Sequence, residues 1–192
     1  MRYPKNWGVS TCLMGIINIT PDSFSDGGLC FNKEDAVLQA INFIENGAHI
    51  LDLGAQSTRP GATEIGAEEE LKRLLPILKQ IRKSLPEAII SVDTFYSSVA
   101  YKALENGADW INDVTGGRKD PLIYQVVSKA KCPYILMHSR GTSSNMDNHT
   151  NYNNDLVNEV LIELKVMTNR ALNLGISKDQ IIWDPGLGFA KN

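Results

Sequence analysis

The stretch Leu13–Gly28, LMGIINITPDSFSDGG, places an apolar run directly before a loop rich in functional groups. The run Leu13–Ile17 has the composition of a buried strand. The eleven residues that follow supply an amide, three hydroxyls, two carboxylates, an aromatic ring, a proline and two glycines. A surface turn often has this composition, but a loop held by a rigid strand can also present many polar groups to a ligand. We therefore treat Asn18–Gly28 as a candidate binding loop.

A second stretch repeats this design. Leu51–Gly54 predicts another strand, and Ser57, Thr58 and Arg59 follow it, with the arginine beside Pro60. Backbone N–H groups, hydroxyls and a guanidinium fork are the donors that hold phosphate. The P-loop sequence GxxxxGK[ST] does not occur in the chain. The second stretch therefore predicts a phosphate-binding loop of a different kind.

Strand-like and helix-like segments alternate along the chain, which predicts an α/β fold with parallel strands. Pro76 lies inside the second predicted helix and is expected to kink or divide it. Asp120 is expected to cap the fourth helix. The predicted strands are Leu13–Ile17, Leu51–Gly54, Ile89–Val92, Trp110–Val114, Pro133–Met137 and Ile181–Trp183. The predicted helices are Lys33–Asn46, about Ala67 to Lys83, Ser97–Asn106, Asp120–Lys131 and Leu156 to near Gly175. In the last helix the residues expected to face inward are Leu156, Val157, Val160, Leu161, Leu164 and Met167.

Length and composition fit one folded domain. The chain has 192 residues, of which 43% are hydrophobic and 21% are charged, as is usual for globular proteins. Its apolar runs are shorter than the roughly 18 residues that span a bilayer, and its first residues lack the apolar core of a signal peptide. The three cysteines show no paired spacing. We expect a cytoplasmic protein without a membrane partner, and the net charge of −3 argues against nucleic acid.

Asn18–Gly28 and Ser57–Gly61 resemble the two signature loops of the dihydropteroate synthase family. Further segments resemble that family in the same order, namely Ser91–Thr94, Ile111–Val114, Leu136–His138 and Asp184–Phe189. The resemblance covers nearly the whole chain from Leu13 and implies a (β/α)8 TIM barrel. The sequence has segments for only six of the eight strands, and such barrels typically have about 250 residues. We therefore expect residues 1–192 to form a single pterin-binding TIM-barrel domain that is truncated at its carboxyl terminus. A complete doubly wound sheet of six strands is the alternative.

The resemblance also implies a site at the carboxyl ends of the strands, where barrel enzymes bind their substrates. A pterin ring has an edge of adjacent donors and acceptors, which carboxylates and an asparagine amide can match. Mg²⁺ takes few protein oxygens when phosphate supplies the others. The implied pterin site is Asp93, Asn112, Met137 and Asp184; the pyrophosphate site is Ser57, Thr58 and Arg59; the Mg²⁺ ligand is Asn18; and the p-aminobenzoate pocket is Phe24, Pro60 and Phe189.

The implied reaction joins p-aminobenzoate to 6-hydroxymethyl-7,8-dihydropterin pyrophosphate, in folate biosynthesis. We expect the carbon–oxygen bond to pyrophosphate to break first, because the electron-rich dihydropterin can spread the positive charge that forms. Arg59 and Mg²⁺ would stabilise the leaving group, and Asp93 would stabilise the cationic ring. The loop with Asp22, Ser25 and Asp26 would close over the site and exclude water.

The sequence departs from the family pattern in two respects. Ala55-Gln56 stands where many relatives have Gly-Glu, so no catalytic role is inferred for Gln56. The family's lysine and arginine-histidine pair on its last two strands have no counterpart here, and we expect the 192-residue stretch alone to lack full activity. The family pattern also implies a homodimer at full length and is compatible with fusion to other folate-pathway domains.

Two other functions remain open. The first is a methyltransferase of the same superfamily, which acts on methyltetrahydrofolate with a corrinoid partner and has no pyrophosphate to bind; Ser57–Gly61 argues against it. The second is a pterin-binding module without catalysis. His138 is expected to be a buried histidine with satisfied hydrogen bonds rather than a ligand contact, and His49 and His149 lack the spacing of a metal site.

Overall fold

The computed structural model describes residues 1–19, 33–56, 64–142, 145–153 and 155–191. In these residues strands and helices alternate, as the sequence pattern predicts. The strands are β1 (Met14–Asn18), β2 (Ile50–Gly54), β3 (Ile89–Asp93), β4 (Trp110–Asp113), β5 (Tyr134–Met137) and β6 (Ile181–Asp184), and the α-helices are α1 (Lys33–Glu45), α2 (Ala67–Ser84), α3 (Ser97–Glu105), α4 (Ile123–Ala130) and α5 (Leu156–Asn173), with short 3-10 helices at Met146–His149 and Lys178–Gln180.

The six strands form one parallel sheet in the order β1-β2-β3-β4-β5-β6. Each strand pairs with the one that precedes it in sequence, so the order never reverses. A doubly wound sheet reverses its strand order at a switch point, whereas a barrel adds each strand beside the last. The α/β prediction is confirmed, and the strand order is that of six successive β/α units of a barrel.

Alternate residues of each strand face opposite sides of the sheet. On the outer side, apolar strand residues pack under the helices and form the main core. Each of these fully buried side chains contributes about 1.5–3 kcal/mol. Members of this core include Leu51, Leu53, Val92 and Ile111 from the strands and Leu74, Leu78, Ala100, Val127 and Leu164 from the helices.

On the inner side, the amino ends of the strands are closed by a separate apolar cluster. Ile50, Ile89, Trp110 and Ile135 form it, and three partly buried residues pack against them, namely Tyr3, Met14 and Ile182. The amino-terminal segment lies against this cluster, since the Trp110 indole donates to the carbonyl oxygen of Arg2 at 2.7 Å. The interior is therefore sealed at one end, and its polar residues lie toward the other.

The second helix was expected to be kinked or divided at Pro76, and α2 is not divided, since it runs from Ala67 to Ser84. Proline inside a helix costs about 3 kcal/mol. Four apolar side chains of α2 are buried on one face, Leu74, Ile77, Leu78 and Ile81. The free energy gained by burying these four side chains exceeds the cost of the proline, so their packing keeps the helix continuous.

Two further helix predictions were wrong in detail. The fourth helix begins at Ile123, after a turn in which the Ile123 N–H donates to the carbonyl oxygen of Asp120 at 3.0 Å. The Asp120 carboxylate accepts from the Leu122 N–H at 3.2 Å within this turn and from the Ser97 N–H at 2.8 Å, at the start of α3. In α5 the buried residues are Val160, Leu164, Met167 and Ala171. Leu156, Val157 and Leu161 were predicted to face inward but are exposed. The apolar face of α5 is wider than the surface against which the helix packs, so the residues at the edge of that face stay exposed.

The helices in the described ranges are each too short or too polar to cross a membrane.

Candidate functional site

Four of the predicted site residues lie at the last position of a strand: Asn18 in β1, Asp93 in β3, Met137 in β5 and Asp184 in β6. Asn112 lies one residue before the end of β4 and pairs in register with Asp93. All five therefore lie at the carboxyl edge of the sheet, where parallel α/β folds bind ligands. Asn18 is exposed and the others are half-buried or buried.

Asp93 lies over the backbone of Gly54 on the neighbouring strand. A Cβ added at Gly54 would lie 3.5 Å from Asp93 Oδ2, an ordinary contact distance, so the carboxylate lies directly beside Gly54. Burial raises the pKa of Asp93 well above its usual value, and the charges of Asp52, Glu70 and Asp113 raise it further. A ligand that brings N–H donors or positive charge to Asp93 would offset this penalty.

Asn112 is held by Asp52, which was not among the predicted site residues. Its Nδ2 donates to Oδ2 of Asp52 on β2 at 3.0 Å. Asp52 is only 3% exposed and lies on the inner face of β2, beside Ser91 of β3. Burial raises the pKa of Asp52, the Ser91 hydroxyl and the Asn112 amide lower it, and the charge of Asp184 raises it. Asp52, Asp93 and Asp184 lie on β2, β3 and β6 of the same parallel sheet.

Asp184 begins the loop after β6 and is fixed by it. Its Oδ1 accepts from the Gly186 N–H at 2.7 Å. Gly186 has a φ of 67° and passes so close to the backbone of His138 that an added Cβ would lie 2.0 Å from its carbonyl oxygen. A side chain at this position is therefore incompatible with the loop as it stands.

Lys191 also holds this loop and was not assigned a role from the sequence. Its Nζ donates to the carbonyl oxygens of Phe189, Gly186 and His138 at 2.9, 3.0 and 3.3 Å. Burial lowers the pKa of Lys191 to about 8, although the charge of Asp184 raises it. The lysine ties the end of β6 to the end of β5, and so positions the backbone around Asp184.

Met137 and His138 end β5 and begin its loop. Met137 is 3% exposed, as expected of a residue that lines an interior recess. His138 is fully buried, and its Nε2 lies 2.8 Å from Oε2 of Glu163. Its Nδ1 has no hydrogen-bond partner among the described residues, so the expectation of a histidine with satisfied hydrogen bonds is met at one ring nitrogen only. Burial lowers the pKa of His138, against the effect of Glu163.

A cavity of about 250 Å³ lies beside these strand ends. Phe95 and Phe189 give it apolar walls, and Arg118 and Ser139 give it a polar side, where the guanidinium donates to the serine hydroxyl. Phe189 is half-buried. The cavity adjoins the carboxyl edge of the sheet, since Gln56, Phe95 and Ser139, which follow β2, β3 and β5, line it.

Gln56 has a structural contact at the start of the second loop. Its Oε1 accepts from the Ile65 N–H at 2.9 Å and so joins the two ends of residues 57–63. No catalytic role was predicted for Gln56, and this contact gives its amide oxygen a structural one.

The remaining predicted site residues lie outside the described residues. They are Asp22, Phe24, Ser25 and Asp26 in the first loop and Ser57, Thr58, Arg59 and Pro60 in the second. Their roles, including the expectation that Arg59 shares one cavity with Asp93 and Asp184, stay predictions.

No cluster of three or more His, Cys, Asp or Glu side chains within the described ranges could hold a metal ion by protein ligands alone. Asn18 offers one exposed amide at the end of β1. Mg²⁺ that is shared with a diphosphate needs no more than one or two protein oxygens. The donors present therefore fit a Mg²⁺ that binds together with a phosphate ligand.

A parallel α/β sheet wound in barrel order, with carboxylates and an amide at the carboxyl edge, defines a small-molecule-binding domain of the barrel class. The family described as "Pterin binding enzyme" matches residues 14–192. The chain belongs to this pterin-binding family.

The relatives are enzymes of folate synthesis. The chain is 45% identical over 186 residues to dihydropteroate synthase of Synechocystis, covering 97% of this chain and 64% of the relative. It is 47% identical over 190 residues to a mitochondrial "Folate synthesis bifunctional protein" of Pisum sativum, covering 97% of this chain and 37% of that protein. The chain thus spans less than two thirds of the length of these relatives.

The fold agrees with solved structures of the same family. A dihydropteroate synthase from Clostridium difficile, solved in the presence of pteroic acid, superposes with a TM-score of 0.87 at 39% identity. The superposition covers 96% of this chain and 67% of the other. Barrel-type winding of the six strands is therefore shared with an enzyme of known fold.

Proposed function

We propose that this chain binds the substrates of a dihydropteroate synthase, which joins p-aminobenzoate to 6-hydroxymethyl-7,8-dihydropterin pyrophosphate. The observation that carries the proposal is the convergence of Asp93, Asn112 and Asp184 at one edge of the sheet in a chain of the pterin-binding family. Relatives that are 45% identical bear this name.

The pterin would bind in the interior, above the apolar cluster that closes the barrel. Asp93 and Asp184 would accept from ring N–H groups, and Asn112 would present its amide to the same edge. Met137 is buried beside them and would cover one face of the ring. The proposal explains why the Asp93 carboxylate is kept in a space where burial raises its pKa and so opposes its ionisation.

The diphosphate would lie toward β1 and β2. Ser57, Thr58 and Arg59 would donate to its oxygens, and Asn18 would supply the single protein ligand of Mg²⁺. When bound, Mg²⁺ neutralises charge on the leaving pyrophosphate. The guanidinium of Arg59 would add a fixed positive charge at the same place.

The amine of p-aminobenzoate would attack the pterin methylene after the carbon–oxygen bond to pyrophosphate has broken, and would pass one proton to the leaving pyrophosphate as the carbon–nitrogen bond forms. Phe24, Pro60 and Phe189 would hold its ring. Asp22, Ser25 and Asp26 of the first loop would exclude water, which competes for the same carbon. Asp93 would stabilise the positive charge on the dihydropterin while the pyrophosphate leaves, so its charge is needed when the bond breaks.

The setting of the enzyme is also part of the proposal. Cys12 and Cys132 are free thiols, which suits a cytoplasmic protein, although plant relatives include mitochondrial proteins. Bifunctional relatives support fusion to a further folate-synthesis domain, and a homodimer at full length is proposed from the family pattern. Small-molecule substrates are the partners, with neither nucleic acid nor membrane involved.

Calorimetry with the 192-residue chain tests the proposal. We expect the pterin pyrophosphate to bind with an affinity that rises at least tenfold with Mg²⁺, and p-aminobenzoate to bind only when pyrophosphate or the pterin ester is present. Asp93→Asn should abolish turnover in the protein that contains this chain. Binding of methyltetrahydrofolate in preference to the diphosphate ester would instead support the methyltransferase.

A further inference from the structure

One polar bridge in the interior crosses an entire strand. Asp52 belongs to β2 and Asn112 to β4, yet Oδ2 of Asp52 accepts from Nδ2 of Asn112 at 3.0 Å. The strand between them is β3, where Ser91 pairs in register with Asp52. The small side chain of Ser91 leaves the space through which the bridge passes.

Three buried polar atoms around this bridge have no hydrogen-bond partner among the described residues: Oδ1 of Asp52, Oγ of Ser91 and Oδ1 of Asn112. Buried polar atoms in native proteins are nearly always paired, and exceptions call for an explanation. The Ser91 hydroxyl lies close enough to Asp52 to favour its ionised form, but without good hydrogen-bond geometry. A ligand or water in the interior would supply hydrogen-bond partners for these three atoms.

The bridge decides which end of the Asn112 amide is left for a ligand. An asparagine amide has a donor end and an acceptor end, and rotation of the amide by half a turn exchanges them. A carboxylate accepts hydrogen bonds, so Asp52 binds the donor end. The acceptor end, Oδ1, then remains unpartnered at the ligand site.

We propose that Asp52 is a positioning residue that fixes the amide of Asn112 with its carbonyl oxygen available to the ligand, so that the site selects a ring bearing an amino group over one bearing a carbonyl at the same position. This inference rests on the proposed pterin-binding function and adds a reason for its specificity. Without Asp52 the amide is free to rotate and offer its NH₂ group to a ring carbonyl. Asp52 need not touch the ligand for this effect.

Two ligands that differ at the ring edge test the inference. One is 6-hydroxymethylpterin, which has a 2-amino group, and the other is the corresponding lumazine, which has a carbonyl in its place. Both dissociation constants are measured by calorimetry for the wild-type chain, Asp52→Ala and Asp52→Asn. The wild type should prefer the pterin by about 100-fold or more. In Asp52→Ala this preference should fall at least tenfold, because the pterin binds more weakly while the lumazine binds as well or better.

Tyr134→Phe is the matched control. The Tyr134 hydroxyl donates to Asp113 at 2.7 Å in the outer core, so its removal also costs a buried hydrogen bond to a strand-end aspartate. That variant should keep the wild-type preference. Circular dichroism shows whether each variant is folded. If Asp52→Ala does not fold, the isosteric Asp52→Asn decides the question and should lower the preference in the same direction, since an amide can bind either end of Asn112.

Equal weakening of both ligands in folded Asp52 variants, with the preference unchanged, would overturn this inference alone. It would reduce Asp52 to a structural residue. Failure of the wild-type chain to bind the pterin would overturn the proposed function and this inference together.

Discussion

At the scale of single residues, the carboxylates of the interior are costly to ionise. Burial and three neighbouring acids raise the pKa of Asp93 well above its usual value, so this carboxyl is harder to ionise than a solvated one. A pterin that donates to Asp93 favours the ionised form. Binding should therefore lower this pKa and be linked to proton release.

We expect pterin affinity to increase as pH rises through the pKa of Asp93, with a proton released on binding. Calorimetry in two buffers of different ionisation enthalpy measures this proton directly. Asp93→Asn should bind more weakly and release fewer protons. Wild-type affinity that stays constant from pH 5 to pH 8 would show that Asp93 is not ionised by the ligand.

Glu70 gives a second prediction, on stability. It is fully buried in the first turn of α2, and burial raises the pKa of its carboxyl from 4.5 to about 7, although Thr94 lowers it. Because the folded-state pKa is the higher one, the stabilising neutral form is complete below pH 4.5 and is lost as pH rises to about 7. The free energy of unfolding should therefore fall over this range.

Glu70→Gln should flatten this dependence and raise the stability of the protein at pH 8, since a neutral amide has no charge to bury. Urea unfolding at a series of pH values measures the effect. Glu68→Gln, in the same turn but exposed, serves as the control and should leave the pH dependence unchanged. Parallel pH profiles for wild type and Glu70→Gln would refute the prediction.

At the scale of elements, the loop after β6 depends on one glycine. Gly186 and Gly188 both have positive φ, 67° and 86°, but only Gly186 lies against neighbouring backbone, since nothing is found within 4 Å of a Cβ at Gly188. Gly188→Ala should cost about 1–2 kcal/mol from conformation alone. Gly186→Ala should cost at least about 2 kcal/mol more and weaken pterin binding through Asp184. Equal losses of unfolding free energy in the two variants, measured by urea unfolding, would mean that the loop shifts to make room for the added methyl group at Gly186.

At the amino ends of the strands, Arg82 joins α2 to β4. It donates to the carbonyl of Gly107 and pairs with Asp109 at 2.6 Å, and the same carboxylate oxygen accepts from the Ile90 N–H. Arg82→Ala should lower the free energy of unfolding by about 2–3 kcal/mol, because buried partners lose a charged donor. Arg73→Ala removes a helix-surface pair with Glu69 and should cost less than about 1 kcal/mol. A similar loss of unfolding free energy in the two variants would contradict the role of Arg82 in holding α2 to β4.

At the scale of the whole molecule, the alternation of strands and helices was enough to predict the α/β fold, because buried strands and amphipathic helices have different periods. The strand ends that carry Asp93, Asn112 and Asp184 could be located for the same reason. Asp52 could not be found in this way, since its bridge to Asn112 joins strands that are 60 residues apart in sequence. The start of α4 was predicted too early, because the chain after Asp120 first forms a turn, in which the Ile123 N–H donates to the carbonyl oxygen of Asp120.

A crystal structure of this chain with 6-hydroxymethylpterin is the most direct measurement. We predict that the ring lies above the apolar cluster with Asp93, Asn112 and Asp184 each within about 2.7–3.2 Å of a ring nitrogen or oxygen. A ring bound instead in the cavity between Phe95 and Phe189, without contact to these three side chains, would contradict the proposed pterin site.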